Sequence, residues 1–139
     1  MNQLLPENNA IQFRYGIPGF EFLTKFLIAE VEGYSPFRVL TSIEKQDFTM
    51  LILDVNFISS QIEMKIPKKE LKKININGSD DSEMAVYAIL KYDKASQAFT
   101  ANMKAPIVVN SEELVGQQVI LDDDRLSVNQ PLTLLQCES

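Results

Sequence analysis

Thr100-Ala-Asn-Met-Lys-Ala-Pro-Ile-Val-Val-Asn110 is the stretch on which the reading of this chain turns. The segment from Phe99 to Asn110 reads as extended, with Pro106 inside it. A proline cannot donate to a ladder, so an edge, bulged or split strand is expected. Asn102, Lys104 and Asn110 are the polar positions around the interruption. Such an edge can accept an incoming peptide. It can equally be a capped edge that keeps other chains away. The residues alone weigh these two readings evenly.

Immediately upstream, Met84, Val86, Ala88, Leu90 and Tyr92 alternate with Ala85, Tyr87, Ile89 and Lys91, the period of a strand. Asp93-Lys-Ala-Ser96 is a hairpin connection into the Pro106 segment. Downstream, Gln117 to Leu121 reads as a short strand after the turn at 112–116, and Ser127 to Leu135 as a last one. Towards the N-terminus, Ala10 to Tyr15 alternates, with Ile11, Phe13 and Tyr15 on one side. Gly16-Ile-Pro-Gly19 then breaks the chain; Pro18 fixes φ and Gly19 permits positive φ, which together fill the centre of a type II turn.

Lys25 to Glu32 reads as a strand, Gly33-Tyr-Ser-Pro36 as a turn, and Phe37 to Ser42 as a strand with Phe37, Val39 and Thr41 on one face. Phe48 to Val55 is nearly all apolar and reads as a strand buried on both faces. Lys68 to Ile74 is the one short helix, with Pro67 at its start and Leu71 and Ile74 as the pair that docks on the sheet. About eight short strands and one helix predict a mostly β fold, an antiparallel β-barrel-like domain or sandwich. One domain spans 1–139 with its core from about 10 to 135. The predicted core is Phe13, Phe37, Val39, Leu51, Leu53, Val86, Ala88, Val108 and Val119.

The chain has 139 residues, one domain's worth, and 45% of them are hydrophobic, enough for a core without a metal or disulfide. Nineteen acidic against 13 basic residues give a net charge of −6, which argues against direct nucleic-acid binding and for a basic protein partner. There is no histidine, which removes the commonest general base and metal ligand. Together with the lone cysteine, Cys137, near the end, this points away from an enzyme and from any cofactor. Cys137 reads as an incidental tail thiol in a reducing compartment. The N-terminus lacks a signal-peptide pattern and the longest apolar run, Met50 to Leu53, is far too short to span a bilayer. A cytoplasmic protein that does not engage membranes is expected.

Three charge clusters read more simply as solvated surface. Asp122-Asp-Asp124 lacks the alternating spacing of a calcium loop. Lys65, Lys68, Lys69, Lys72 and Lys73 lack interleaved aromatics for stacking on bases. Glu30 and Glu32 share a strand face with nothing nearby to bury them. Gly16 to Glu21 reads, by itself, as a structural corner rather than a binding loop.

The segments Gly16-Ile-Pro-Gly-Phe-Glu21, Pro36-Phe-Arg-Val-Leu-Thr-Ser42, Thr100 to Asn110, Gln117-Gln-Val-Ile-Leu121 and Pro131-Leu132 resemble, in order and spacing, those of the FliW family of flagellar assembly factors. The resemblance runs from about Ile11 to about Leu132. It implies a small, non-catalytic, β-barrel-like protein, monomeric when free. It implies two mutually exclusive partners: flagellin, and CsrA, an RNA-binding repressor whose block on flagellin translation is thereby relieved. The alternative within the same resemblance is a flagellin-specific chaperone or export adaptor without a translational role. The residues expected at the partner surface are Asn102, Met103, Lys104, Pro106, Asn110, Phe20 and Glu21, with backbone groups around Pro106 open to a second chain. The period-2 patterning predicts a far-ultraviolet circular dichroism spectrum dominated by strand; a spectrum dominated by helix would overturn this fold class.

Overall fold

The structure, a computed structural model, describes residues 9–77 and 84–133. Cys137 and the end of the expected last strand, Leu134 and Leu135, lie outside them. The elements are β1 (Ile11–Gln12), β2 (Lys25–Glu30), β3 (Arg38–Ser42), β4 (Thr49–Asp54), α1 (Lys68–Lys73), β5 (Met84–Asp93), β6 (Ala98–Asn110), β7 (Val115–Gln118) and β8 (Gln130–Pro131). The strands follow one another as β5-β4-β3-β2-β1-β7-β6, and β6 pairs back onto β5, so seven strands close a barrel. β8 lies outside the ring, paired to the first half of β6 at Thr100 and Ala101. Closure removes most of the open edges that an isolated sheet would leave.

The pairings are antiparallel except one. β1 runs parallel to β7, meeting it at Gln12 and Val115. β1 is also shorter than the alternation predicts. After Phe13 the chain turns, with the Gly16 N–H donating to the Phe13 carbonyl at 2.9 Å, and Tyr15 is thrown outward instead of continuing the buried face.

Two apolar clusters explain why so many strands are hydrophobic on both sides. The first fills the barrel and takes side chains from β1 to β6, among them Phe13, Phe26, Leu40, Ile52, Tyr87 and Ile107. Phe13 and Phe26 meet edge to face at 4.9 Å. The second lies on the outer wall of β4 to β7, where Leu53, Ala88, Met103, Val108 and Val115 are covered by Ile58, Ile74, Ile76, Leu121 and Leu126. The two alternating sets of β5 divide between them, Met84, Val86, Ala88 and Leu90 outward and Ala85, Tyr87 and Ile89 inward. β4 is likewise buried on both faces, through Ile52 and Leu53.

Of the predicted core, Phe13, Leu53, Ala88, Val108 and Val119 are buried. Phe37, Val39, Leu51 and Val86 are only half-buried. In β3 the expected face is reversed: Leu40 and Ser42 are the sealed positions, while Val39 and Thr41 sit on the partly covered outer wall. Alternation marks two faces but cannot say which is the interior when both carry apolar residues.

α1 is one and a half turns long, too short to persist unless packed. Buried Ile74 and half-buried Leu71 hold it to the outer wall as predicted. The Gln117 amide on β7 donates to the Glu70 carboxylate at 2.6 Å. Asn110, fully buried at the end of β6, completes the attachment: its amide N–H group donates to the Ile74 carbonyl at 2.9 Å. Its side-chain oxygen accepts from the N–H groups of Glu112 (3.1 Å) and Glu113 (3.0 Å), which fixes the turn into β7. One side chain thus joins the helix to the β6–β7 connection.

Asn110→Ala would strip a partner from four backbone groups, the carbonyls of Ile74 and Asn75 and the N–H groups of Glu112 and Glu113, and leaving buried polar groups unpaired costs about 1–3 kcal/mol apiece before relaxation or water entry. We expect a loss of about 2–4 kcal/mol in urea unfolding. A loss within about 0.5 kcal/mol, the range of ordinary surface substitutions, would overturn the joining role.

Candidate functional site

The corner at Gly16 to Glu21 is built from consecutive tight turns. Gly16 takes φ +66°, and a Cβ there would lie 2.5 Å from the Glu21 Cα, so no other residue fits without moving the corner. The Phe20 N–H donates to the Ile17 carbonyl at 2.7 Å, with Pro18 and Gly19 between them and Gly19 at φ +88°. This is the type II arrangement that the sequence predicts. The Leu23 N–H then donates to the Phe20 carbonyl at 2.9 Å. Ile17 and Leu23 are both buried, so the corner is pinned at each end by a side chain inside the barrel.

What the corner shows to solvent is aromatic and acidic. Phe22 is 69% exposed and Phe20 39%. Phe20 rests on Phe48 at 4.5 Å and stands 6.5 Å from Phe22. The Glu21 carboxylate accepts from the Gly19 N–H at 3.0 Å, and backbone N–H groups hold it below the usual carboxylate range. Tyr15, 62% exposed, adjoins the corner in sequence, and the Lys73 ammonium lies 5.8 Å from its ring centre. Isolated exposed aromatics are ordinary. A pair held on a rigid turn offers area at little conformational cost, as interface aromatics do.

Of the expected partner-surface residues, Phe20 and Glu21 are here. The β6 residues are elsewhere and differently used. The strand is bulged as predicted: a single β5 residue, Ala88, lies opposite the four β6 residues from Met103 to Pro106. Yet it is not an open edge. The Met103 N–H donates to the Ser127 carbonyl at 2.9 Å. The N–H groups of Lys104 and Ala105 donate to the Asn102 side-chain oxygen at 3.1 and 3.0 Å. Pro106 has no N–H. The carbonyls of Lys104 and Pro106 accept from Leu121 and Val119 at 2.8 and 2.9 Å, and that of Ala105 from the Gln118 amide at 3.1 Å. The expectation that backbone around Pro106 lies open to a second chain is therefore corrected: those groups are engaged within the barrel wall.

Met103, Pro106 and Asn110 are buried, and Asn102 is half-buried with its side-chain oxygen occupied by the bulge. Lys104 is partly exposed, but its ammonium reaches Asp124 at 3.3 Å and the Asp123 carbonyl at 3.5 Å. Asp123 is itself gripped by Arg125, whose guanidinium and N–H lower its carboxyl to about 2. The Asp122 to Asp124 loop is thus an ion-paired turn. Among the described residues, no group of three or more histidine, cysteine, aspartate or glutamate side chains is placed to hold a metal.

Sequence reasoning passed over Phe22 when choosing surface residues. The signal was present: Phe22 directly follows the turn and precedes Leu23, which is buried while Phe22 is exposed.

Comparison with known proteins bears on what this surface serves. The family model described as FliW protein matches residues 2–132. A flagellar assembly factor FliW of Clostridium botulinum (strain Okra / Type B1) is 34% identical over 126 residues, covering 91% of this chain and 87% of the relative. One of Thermosipho africanus (strain TCF52B) is 34% identical over 128 residues with the same coverage. The crystal structure of a flagellar assembly factor FliW superposes with a TM-score of 0.82 at 27% identity, covering 91% of this chain and 87% of that one. Fold and sequence agree, and the chain belongs to the FliW family.

Proposed function

We propose that this protein is a flagellar assembly factor that works by binding other proteins. It engages flagellin and the repressor CsrA in mutually exclusive fashion in the cytoplasm, and so relieves CsrA's block on flagellin translation. The observation that carries this reading is the family match across residues 2–132. The protein acts by occupancy, without catalysis or a cofactor, and is a monomer when free.

The surface chemistry supports it. A net charge of −6 suits a partner that binds RNA and therefore presents basic surface. The partner surface we assign is the corner carrying Phe20, Glu21 and Phe22, with Tyr15 beside it. The two phenylalanines supply apolar area and Glu21, ionised well below neutral pH, supplies a fixed negative charge. Of the β6 residues expected at this surface, Lys104 alone keeps a partly exposed charged group to offer. Asn102, Met103, Pro106 and Asn110 act through the fold, as the bulge and its anchor.

The adaptor reading differs in one respect, the absence of a CsrA complex. Size-exclusion chromatography of the protein with CsrA, with flagellin and with both separates the two. We expect a complex with each alone and displacement of CsrA by added flagellin. A flagellin complex without any CsrA complex would establish the adaptor instead. Phe22→Ser should leave the melting temperature nearly unchanged, because the ring is mostly exposed, and weaken at least one complex about tenfold or more. Unchanged affinity for both partners in the folded variant would remove the corner from the binding surface.

A further inference from the structure

Residues 65–73, Lys-Ile-Pro-Lys-Lys-Glu-Leu-Lys-Lys, carry a net charge of +4 from five lysines and one glutamate, which leaves −10 for the rest of a chain whose total is −6. So sharp a segregation is more than a solvated helix face needs. The lysines are exposed, and among the described residues no carboxylate pairs with Lys65, Lys68, Lys69 or Lys72. Lys73 alone is engaged, with Glu70 at 3.4 Å and the ring of Tyr15. The lysines also stand on a fixed platform, because Gln117 holds Glu70, Asn110 holds the Ile74 carbonyl, and Ile74 is buried.

Lys68 and Lys72 are four residues apart, hence on one side of α1. Together with Leu71, Ile76 and Asn77 they surround a notch of about 90 Å³. The two aliphatic side chains contribute apolar surface and the two ammonium groups stand beside it. This combination asks for a ligand with one small apolar group flanked by negative charge.

We propose that the α1 ridge is a second docking surface, which takes an acidic protein segment with an aliphatic side chain seated between Lys68 and Lys72. It adjoins the Phe20–Phe22 corner through Lys73 and Tyr15, but its seat at Lys68 and Lys72 does not rest on the identity of the partners there. A nucleic acid answers the charge but not the notch, since it has no aliphatic side chain. It also lacks a stacking platform here: the exposed ring of Tyr15 already has Lys73 over it. The acidic remainder of the surface opposes a long polyanion further.

The test is fluorescence anisotropy with a labelled nonapeptide of glutamates carrying one central leucine. We expect salt-dependent binding, at least about tenfold weaker in Lys68→Glu/Lys72→Glu and measurably weaker in the milder Lys68→Gln/Lys72→Gln. Lys91→Glu/Lys94→Glu, on the far hairpin, should bind like the unmodified protein. Replacing the leucine by serine should weaken binding several-fold, as loss of a buried apolar group does. Circular dichroism verifies the fold of each variant. Equal binding by the α1 variants, indifference to the leucine, or tighter binding of a uridine nonanucleotide would each overturn the proposal.

Discussion

One strand has to serve three neighbours. β6 pairs along its length with β5, gives its first half to β8 and its second half to β7, and could not do so as a straight ribbon. The four residues opposite Ala88 break the ladder, and the unpaired groups they create are satisfied from within the same molecule. Asn102 supplies an acceptor for two N–H groups, Pro106 removes a third donor, and the segment 118–121 supplies donors for the carbonyls. Buried backbone must find such partners or destabilise the fold. The asparagines at the two ends of the stretch, which look from the sequence like an outward-facing pair, are instead the bulge acceptor and the helix anchor.

Why some of this was readable and some was not follows from how far each feature reaches. The Pro18-Gly19 turn is decided by φ preferences within four residues, and it was legible. So was α1, from Pro67 and the spacing of Leu71 and Ile74, and so were the two faces of β5. The bulge itself was legible from Pro106. Its capture was not, because the partners at Gln118, Val119, Leu121 and Ser127 belong to other segments, and no local rule places them there. The reversal in β3 has a different origin: Val39 and Leu40 are equally apolar, and only the closed ring decides which of them is sealed. Phe20 and Glu21 sit exposed on the legible turn, whereas the reading of the β6 residues depended on an open edge that closure eliminates.

The surface that results is polarised in chemistry. The chain outside residues 65–73 carries a net negative charge, one corner is aromatic on tight turns, and one short ridge is strongly basic. Charge of one sign over a large area speeds encounter and orients a partner, while rigid aromatics set how long it stays. The corner and the ridge are both secured by buried groups, Ile17 and Leu23 for the first, Asn110 and Ile74 for the second. Both features are therefore held by the barrel's interior more than by free loops.

The parallel contact between β1 and β7 also governs when the barrel can exist at all. Gln12 and Val115 are 103 positions apart, yet the ring is sealed between them by one register pair and the 2.9 Å bond from the Gln12 N–H to the Leu114 carbonyl. Hairpins β2–β3, β3–β4 and β5–β6 join nearer neighbours and carry smaller loop-closure entropy. During synthesis, β1 must wait for nearly the entire chain before it finds its second neighbour. The seam is thus the ring contact of greatest sequence separation, and its closure carries the largest loop entropy.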